Sequence, residues 1–147
     1  MRINNRACAK KLKRKVWKAV VKKIKIICEN IEIVEADLLE ENNPETVRAI
    51  WESLPFEARA NTWGDEIYFS IPVIVGEENA RETVEAGDLG YWPPGNGFCI
   101  FFGPTPISRG GEIRPADPVN VFGRVNNDPK IFKNVKSGEK IRVERFE

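Results

Sequence analysis

Ile67, Phe69, Ile71, Val73 and Val75 occupy every second position of one stretch. Only an extended strand turns that period into a single apolar face. Residues 66–75 are therefore expected as a strand, and Pro72 marks an edge or a bend within it, because proline has no N–H to give a ladder. Shorter segments share the period. From Ile24 to Leu38 apolar and polar residues alternate around a break at Glu29-Asn30, the pattern of a hairpin that sets Ile31 and Ile33 on one face. A short strand from Gly87-Asp88 to Trp92 leads through the turn PPGNG at 93–97 into FCIFF at 98–102. That continuous apolar run requires burial on both faces. VNVFGRV at 119–125 and residues 140–146 supply two further strands.

Helical spacing is found in two places. Asn43-Pro44-Glu45 reads as an N-cap, a proline at the first helical position and an acid in the first turn. Val47, Ile50, Trp51 and Leu54 then form one stripe, which Pro55 ends. Asp128-Pro129 repeats the start signal, and Ile131, Phe132 and Val135 share a face up to the Ser137-Gly138 turn. Residues 103–118 carry four prolines and three glycines without periodicity, as expected of a long ordered loop of the kind that often carries function. Many short strands, two short helices and no βαβ rhythm indicate a mainly β barrel or sandwich with helices covering its ends.

A length of 147 residues suits one domain. No stretch approaches the roughly 18 apolar residues of a membrane span, so the chain is expected to be soluble and cytoplasmic, without a membrane partner. Cys8, Cys28 and Cys99 are odd in number and far apart, so neither a disulfide framework nor a zinc site is indicated. With no histidine, the chain has no histidine general base, no Ser-His or Cys-His nucleophile pair and no histidine metal site. No phosphate loop, dinucleotide fingerprint or nucleophile elbow is present, so neither a cofactor nor a metal is expected.

Charge is unevenly placed. Residues 1–25 carry eleven Lys or Arg and no acid, whereas the rest carry twelve bases against 22 acids, a net of −10. Leu12, Val16, Val20 and Ile24 recur every fourth residue, with Trp17 beside that stripe, so the arm can form a cationic amphipathic helix. Residues 1–22 are read as a basic extension, a disordered tail or an artefact of start-site choice, ahead of a domain at 23–147. Nucleic acid is a partner only through that arm, by phosphate neutralisation that would weaken steeply with salt.

Two clusters could carry chemistry. Asp65-Glu66 lies beside Trp63, and an aromatic neighbour can desolvate a carboxylate and raise its pKa. Neighbours on a strand point to opposite faces, so the two acids do not form a dyad. Asp65 is expected in a turn after Gly64, and Glu66 is expected to be solvated. The second cluster is aromatic, running from Trp63 and Tyr68 through Tyr91 and Trp92 to Phe98, Phe101 and Phe102, interleaved with prolines. Phe69, Phe102 and Phe122 are assigned to the core, and Trp63, Tyr91 and Trp92 to a pocket rim.

These motifs resemble a known family. NPETVRAIWESL resembles the first helix of cyclophilins. NGFCIFFGPTP is similar to their Asn-Gly-Ser-Gln-Phe-Phe-Ile strand, and VNVFGRV to their Val-Val-Phe-Gly-Lys-Val segment. NTWGDEIYF, GDLGYWPPG and CIFFGPTP together look like a prokaryotic cyclophilin-like family of uncharacterised function. The resemblance spans about residues 24–146 and implies a closed eight-stranded antiparallel β-barrel capped by two short helices, with a groove on one barrel face. In isomerase members that groove holds an arginine that polarises the prolyl amide, a phenylalanine floor, and a tryptophan and a histidine at its rim. The resemblance places the floor on Phe101, puts Val119 where the histidine stands and Arg114 near the tryptophan's place, and leaves Arg59, in the strand after the first helix, as the match for the catalytic arginine.

The leading expectation is a binding module for a proline-containing peptide or a small apolar ligand, with Phe101 as floor, Trp63, Tyr91 and Trp92 as walls and Arg59 as polar anchor. The alternative is a peptidyl-prolyl cis–trans isomerase with a reduced site, in which Arg59 alone stabilises the twisted amide. A third reading is an unrelated enzyme using Asp65 or Glu66. The oligomeric state is open, since exposed aromatics also suit a dimer interface.

Overall fold

The structure, a computed structural model, describes residues 21–147. The amphipathic stripe of the basic arm therefore lies outside the described residues, apart from Ile24. The strands are β1 (Lys23–Cys28), β2 (Val34–Leu38), β3 (Phe56–Arg59), β4 (Asn61–Thr62), β5 (Glu66–Ser70), β6 (Asp88–Trp92), β7 (Gly97–Phe101), β8 (Asn120–Val125) and β9 (Lys140–Arg145). Among the described residues the α-helix α1 (Pro44–Ser53) and a 3₁₀ helix at Pro129–Asn134 press Val47, Ile50 and Phe132 into the core. No helix among the described residues is long and apolar enough to cross a membrane.

All nine strands form one antiparallel sheet in the order β3-β9-β1-β2-β8-β6-β7-β5-β4. The two ends of that order, β3 and β4, are parted in the chain by Ala60 alone. This bent segment bonds β9 on one side and β5 on the other, so the sheet curls into a nearly closed barrel. Ala60 is held at the bend by its N–H donating to Glu139 O (2.8 Å) and by its carbonyl accepting from Gly138 N (2.7 Å). The eight strands expected become nine because this one segment breaks in two at the bend.

Two expectations about the strands are corrected. Residues 66–75 do not form one strand: β5 ends at Ser70, where Pro72 denies the ladder a donor. The inward alternation of Ile71 and Val73 nevertheless continues, because Ile71 N–H donates to Asn96 O (2.9 Å) and Val73 O accepts from the Tyr91 hydroxyl (2.6 Å). Ile31 and Ile33 do not share a face: Ile31 packs against the core and Ile33 turns to solvent. Pairing of Ile26 with Val34 sets the register, so Val34, Ala36 and Leu38 point inward while Ile33, in the connection, is 54% exposed.

The start of α1 is also satisfied differently. Asn43 makes no cap bond with its side chain; its Nδ2 donates to Val121 O (2.8 Å) and its Oδ1 accepts from Asn79 N (2.9 Å). The helix N-terminus is instead met by Glu78, whose carboxylate accepts from Glu45 N and Thr46 N, both at 3.1 Å. A carboxylate placed there meets free N–H groups and the positive end of the helix dipole. Asn120 fixes the same loop by accepting from Glu78 N (2.9 Å) and donating to Gly76 O (2.9 Å). At the 3₁₀ helix the expected cap does form, with Asp128 Oδ1 accepting from Lys130 N at 3.0 Å.

The barrel interior holds the main core, including Phe69, Phe98, Phe102 and Phe122. A second, smaller apolar cluster lies on the other face of the sheet. There Cys99, Phe101, Val119 and Val121 pack with Val84 and Ile113. FCIFF is thus buried on both faces, Phe98 and Ile100 inward and Cys99 and Phe101 outward. The cover comes from segments 77–86 and 103–118, which the bridges Val84–Ile113 and Arg81–Val119 tie together and to the barrel.

Candidate functional site

On that outer face, next to the second cluster, is a cavity of about 200 Å³. Its barrel side is formed by Glu66 and Tyr68 of β5 and Cys99 of β7. Alternation along β5 sends these two residues outward as Ile67 and Phe69 go inward, and register places Tyr68 opposite Cys99. Trp63, in the turn before β5, and Trp92, at the end of β6, supply aromatic walls. Pro115 and Ala116 of the long loop, with Val119 just before β8, close the remaining side.

Each wall is fixed by local chemistry. The Trp92 indole N–H donates to Asp117 Oδ2 (2.9 Å), and its ring lies so close to Gly95 that a Cβ there would stand 2.3 Å from it. Tyr68 meets Trp92 edge-on, with ring centroids 6.3 Å apart and planes at 76°, which makes a corner. Trp63 N–H donates to Glu66 O (2.9 Å), and Asp65 N–H to Pro104 O (2.9 Å), so the turn carrying Trp63 is bound to the loop. Beneath the site Gly90 has to be glycine, because a Cβ there would lie 2.8 Å from Val119 and 3.1 Å from the Phe101 ring.

Glu66 is the charged residue of the lining, and it is only 5% exposed. The expectation of a solvated Glu66 is thereby corrected: covering by the loop and by Trp63 removes its water. Burial pushes its carboxyl up to about 7, against the opposing effect of the Cys99 thiol beside it. Burial and then the Glu66 charge push the Cys99 thiol well above its ordinary value. Cys99 is thus a neutral thiol at neutral pH and a poor nucleophile. Asp65 is not part of the lining; it stacks over Gly103, where a Cβ would come 2.4 Å from its Oδ2. Among the described residues no group of three or more His, Cys, Asp or Glu is placed to hold a metal.

Of the residues singled out from the sequence, Trp63, Glu66, Tyr68, Trp92 and Val119 are brought together at this cavity. Phe101 is fully buried in the second cluster, packed with the covering segments, and does not line the cavity. Tyr91 points the other way, into the barrel, because it alternates with Trp92 along β6; its hydroxyl donates to Val73 O and accepts from Val75 N (3.3 Å). Arg59 is exposed on β3, opposite Lys140 of β9, donates to Gly138 O (3.2 Å) and is not in the lining. Cys99, Pro115 and Ala116 were not singled out as site residues. The available signal was the two-sided burial of FCIFF, which requires some segment to cover Cys99.

A family model described as cyclophilin-like matches residues 22–144. A hypothetical protein from Archaeoglobus fulgidus, whose structure was solved in solution, superposes with a TM-score of 0.74 at 48% identity, over 86% of this chain and 96% of that one. A comparison with curated proteins gives no match.

Proposed function

The chain belongs to the cyclophilin-like family, and from the cavity on its outer face we propose that it is a binding barrel without an efficient isomerase site. The carrying observation is the aromatic corner of Trp63, Tyr68 and Trp92 around a small recess floored by the Glu66 carboxyl and the Cys99 thiol. Its volume of about 200 Å³ is below the roughly 300–1,000 Å³ of common ligand pockets. It therefore suits one compact body, such as a proline ring of a peptide or a small apolar ligand of that size. In the isomerase members that the chain resembles, the donor at the twisted amide is a cationic arginine. The polar groups lining the cavity are a carboxyl, a phenol and a thiol, none of them a cation; Arg59 lies elsewhere, and the resemblance puts Val119 in the histidine's place.

The test is two-dimensional exchange spectroscopy of an Ala-Pro peptide with catalytic amounts of protein, together with the protein's own amide shifts. The expected result is no added cis–trans exchange and shifts confined to Trp63, Tyr68, Trp92 and their neighbours. Trp92→Ala, which removes a wall, should weaken that binding by about tenfold, an aromatic contact's share of the free energy. Exchange peaks that vanish in Arg59→Ala would replace this reading with isomerase activity.

A further inference from the structure

The described residues contain three buried acids, and two of them are visibly compensated. Asp88 accepts from Arg124 Nη1 (2.8 Å) and from Glu85 N (2.9 Å). Glu139 accepts from Asn30 Nδ2 (2.9 Å) and Lys136 N (3.1 Å). Glu66 differs. Among the described residues it has no ion-pair partner, and the thiol of Cys99 is the polar side chain beside it. A carboxylate withdrawn from water without a cation is costly, and that cost is relieved by whatever brings positive charge to it.

The walls around it have the matching chemistry. The faces of tryptophan and tyrosine rings are electronegative and attract ammonium groups, more strongly where water is excluded. Trp63, Tyr68 and Trp92 surround the recess into which Glu66 is set. We propose that the natural ligand of this cavity carries a cationic amine on a compact apolar body, with Glu66 as its counter-ion and the aromatic walls around it. This rests on the reading of the cavity as a binding site and names the class of ligand it takes.

The charged and titratable neighbours do not supply the missing cation. Cys99 on β7 and Tyr68 on β5 face the same recess, Asp65 lies over Gly103, and Asp117 accepts from Trp92 at the rim. Arg114 of the covering loop is engaged by Glu112 at 3.0 Å. An amine entering the recess would meet Glu66 as its carboxylate, so binding releases the proton that a carboxyl titrating at about 7 holds below that pH.

Benzylammonium and its neutral isostere benzyl alcohol, titrated into the whole protein at pH 6 and pH 8 and followed by amide shifts, test this. Benzylammonium stays protonated over that range. Its affinity is expected to rise about tenfold from pH 6 to pH 8, following ionisation of Glu66, and to exceed that of benzyl alcohol at pH 8. Glu66→Gln, whose fold the same amide spectra check, should abolish both the rise and the preference for the amine. Equal affinities for the two probes, or a preference for the amine that survives in Glu66→Gln, would overturn the proposal and leave the cavity as a site for neutral ligands. If neither probe shifts cavity residues at either pH, the binding site itself is refuted, and the ligand class with it.

Discussion

Replacing Phe98 with alanine should lower the unfolding free energy by about 4 kcal/mol, the range found when a fully buried aromatic ring is removed and the hole cannot close. Phe98 is fully buried at the centre of the barrel. It stacks on Phe69 at 5.0 Å with planes 14° apart and meets Phe122 and Phe56 edge-on at 5.1 and 5.9 Å. Those four rings belong to β7, β5, β8 and β3, so the loss reaches across the barrel. Urea unfolding would measure it, with Phe146→Ala as the contrast: that ring is 41% exposed at the end of the chain and should cost well under 1 kcal/mol. A Phe98→Ala loss no larger than that of Phe146→Ala would contradict the packing described.

The second large effect is a dependence of stability on pH set by Glu66. Its carboxyl titrates at about 7 when folded, against an ordinary value of 4.5. Between those two values the folded protein keeps the proton that the unfolded chain has lost. The contribution of Glu66 is therefore fully present below pH 4.5, falls as pH rises and is gone above about 7, a change of about 3 kcal/mol. Asp88, also raised by burial, adds a fall of the same sign, and Glu139, where burial is outweighed by hydrogen bonds from Lys136 and Asn30 so that its pKa is lowered, opposes it. Comparison with Glu66→Gln isolates the one group. The variant's stability relative to the parent should rise by about 3 kcal/mol from pH 4.5 to pH 8; a difference that stays flat would mean that Glu66 is solvated.

Most of the barrel was legible because strand alternation and helix spacing are local. Residues 24–38, 87–102 and 119–125 carry their period and their turn residues within a few positions of each other. What the sequence left hidden depends on distant partners. The capping of α1 by Glu78 joins residues more than 30 apart, and the proper cap candidate, Asn43, is drawn away by Val121 and Asn79. The split at Ala60 follows from its bonds to Gly138 and Glu139, at the far end of the chain.

The candidate site was half legible for the same reason. Trp63 and Trp92 sit at strand ends, where the sequence marks turns, and both reach the cavity. Tyr91 was misplaced by one residue of alternation, since adjacent side chains on β6 serve opposite faces. Phe101, the residue the resemblance matched to the floor, is covered by segments 77–86 and 103–118 and does not line the cavity. Glu66 carried the right signal, an aromatic neighbour at Trp63. Its burial could not be read locally, because the closing residues Pro115, Ala116 and Val119 lie about fifty positions away.

The claim on which the functional reading turns is that the outer-face cavity receives a ligand. It is tested most directly by intermolecular nuclear Overhauser contacts between benzyl alcohol and the whole protein, a probe whose binding does not depend on charge. Contacts from its ring to the Trp63 and Trp92 indoles and to the Tyr68 ring are the expected result. Contacts only elsewhere on the barrel, or none from either benzyl alcohol or benzylammonium at millimolar concentration, would contradict it.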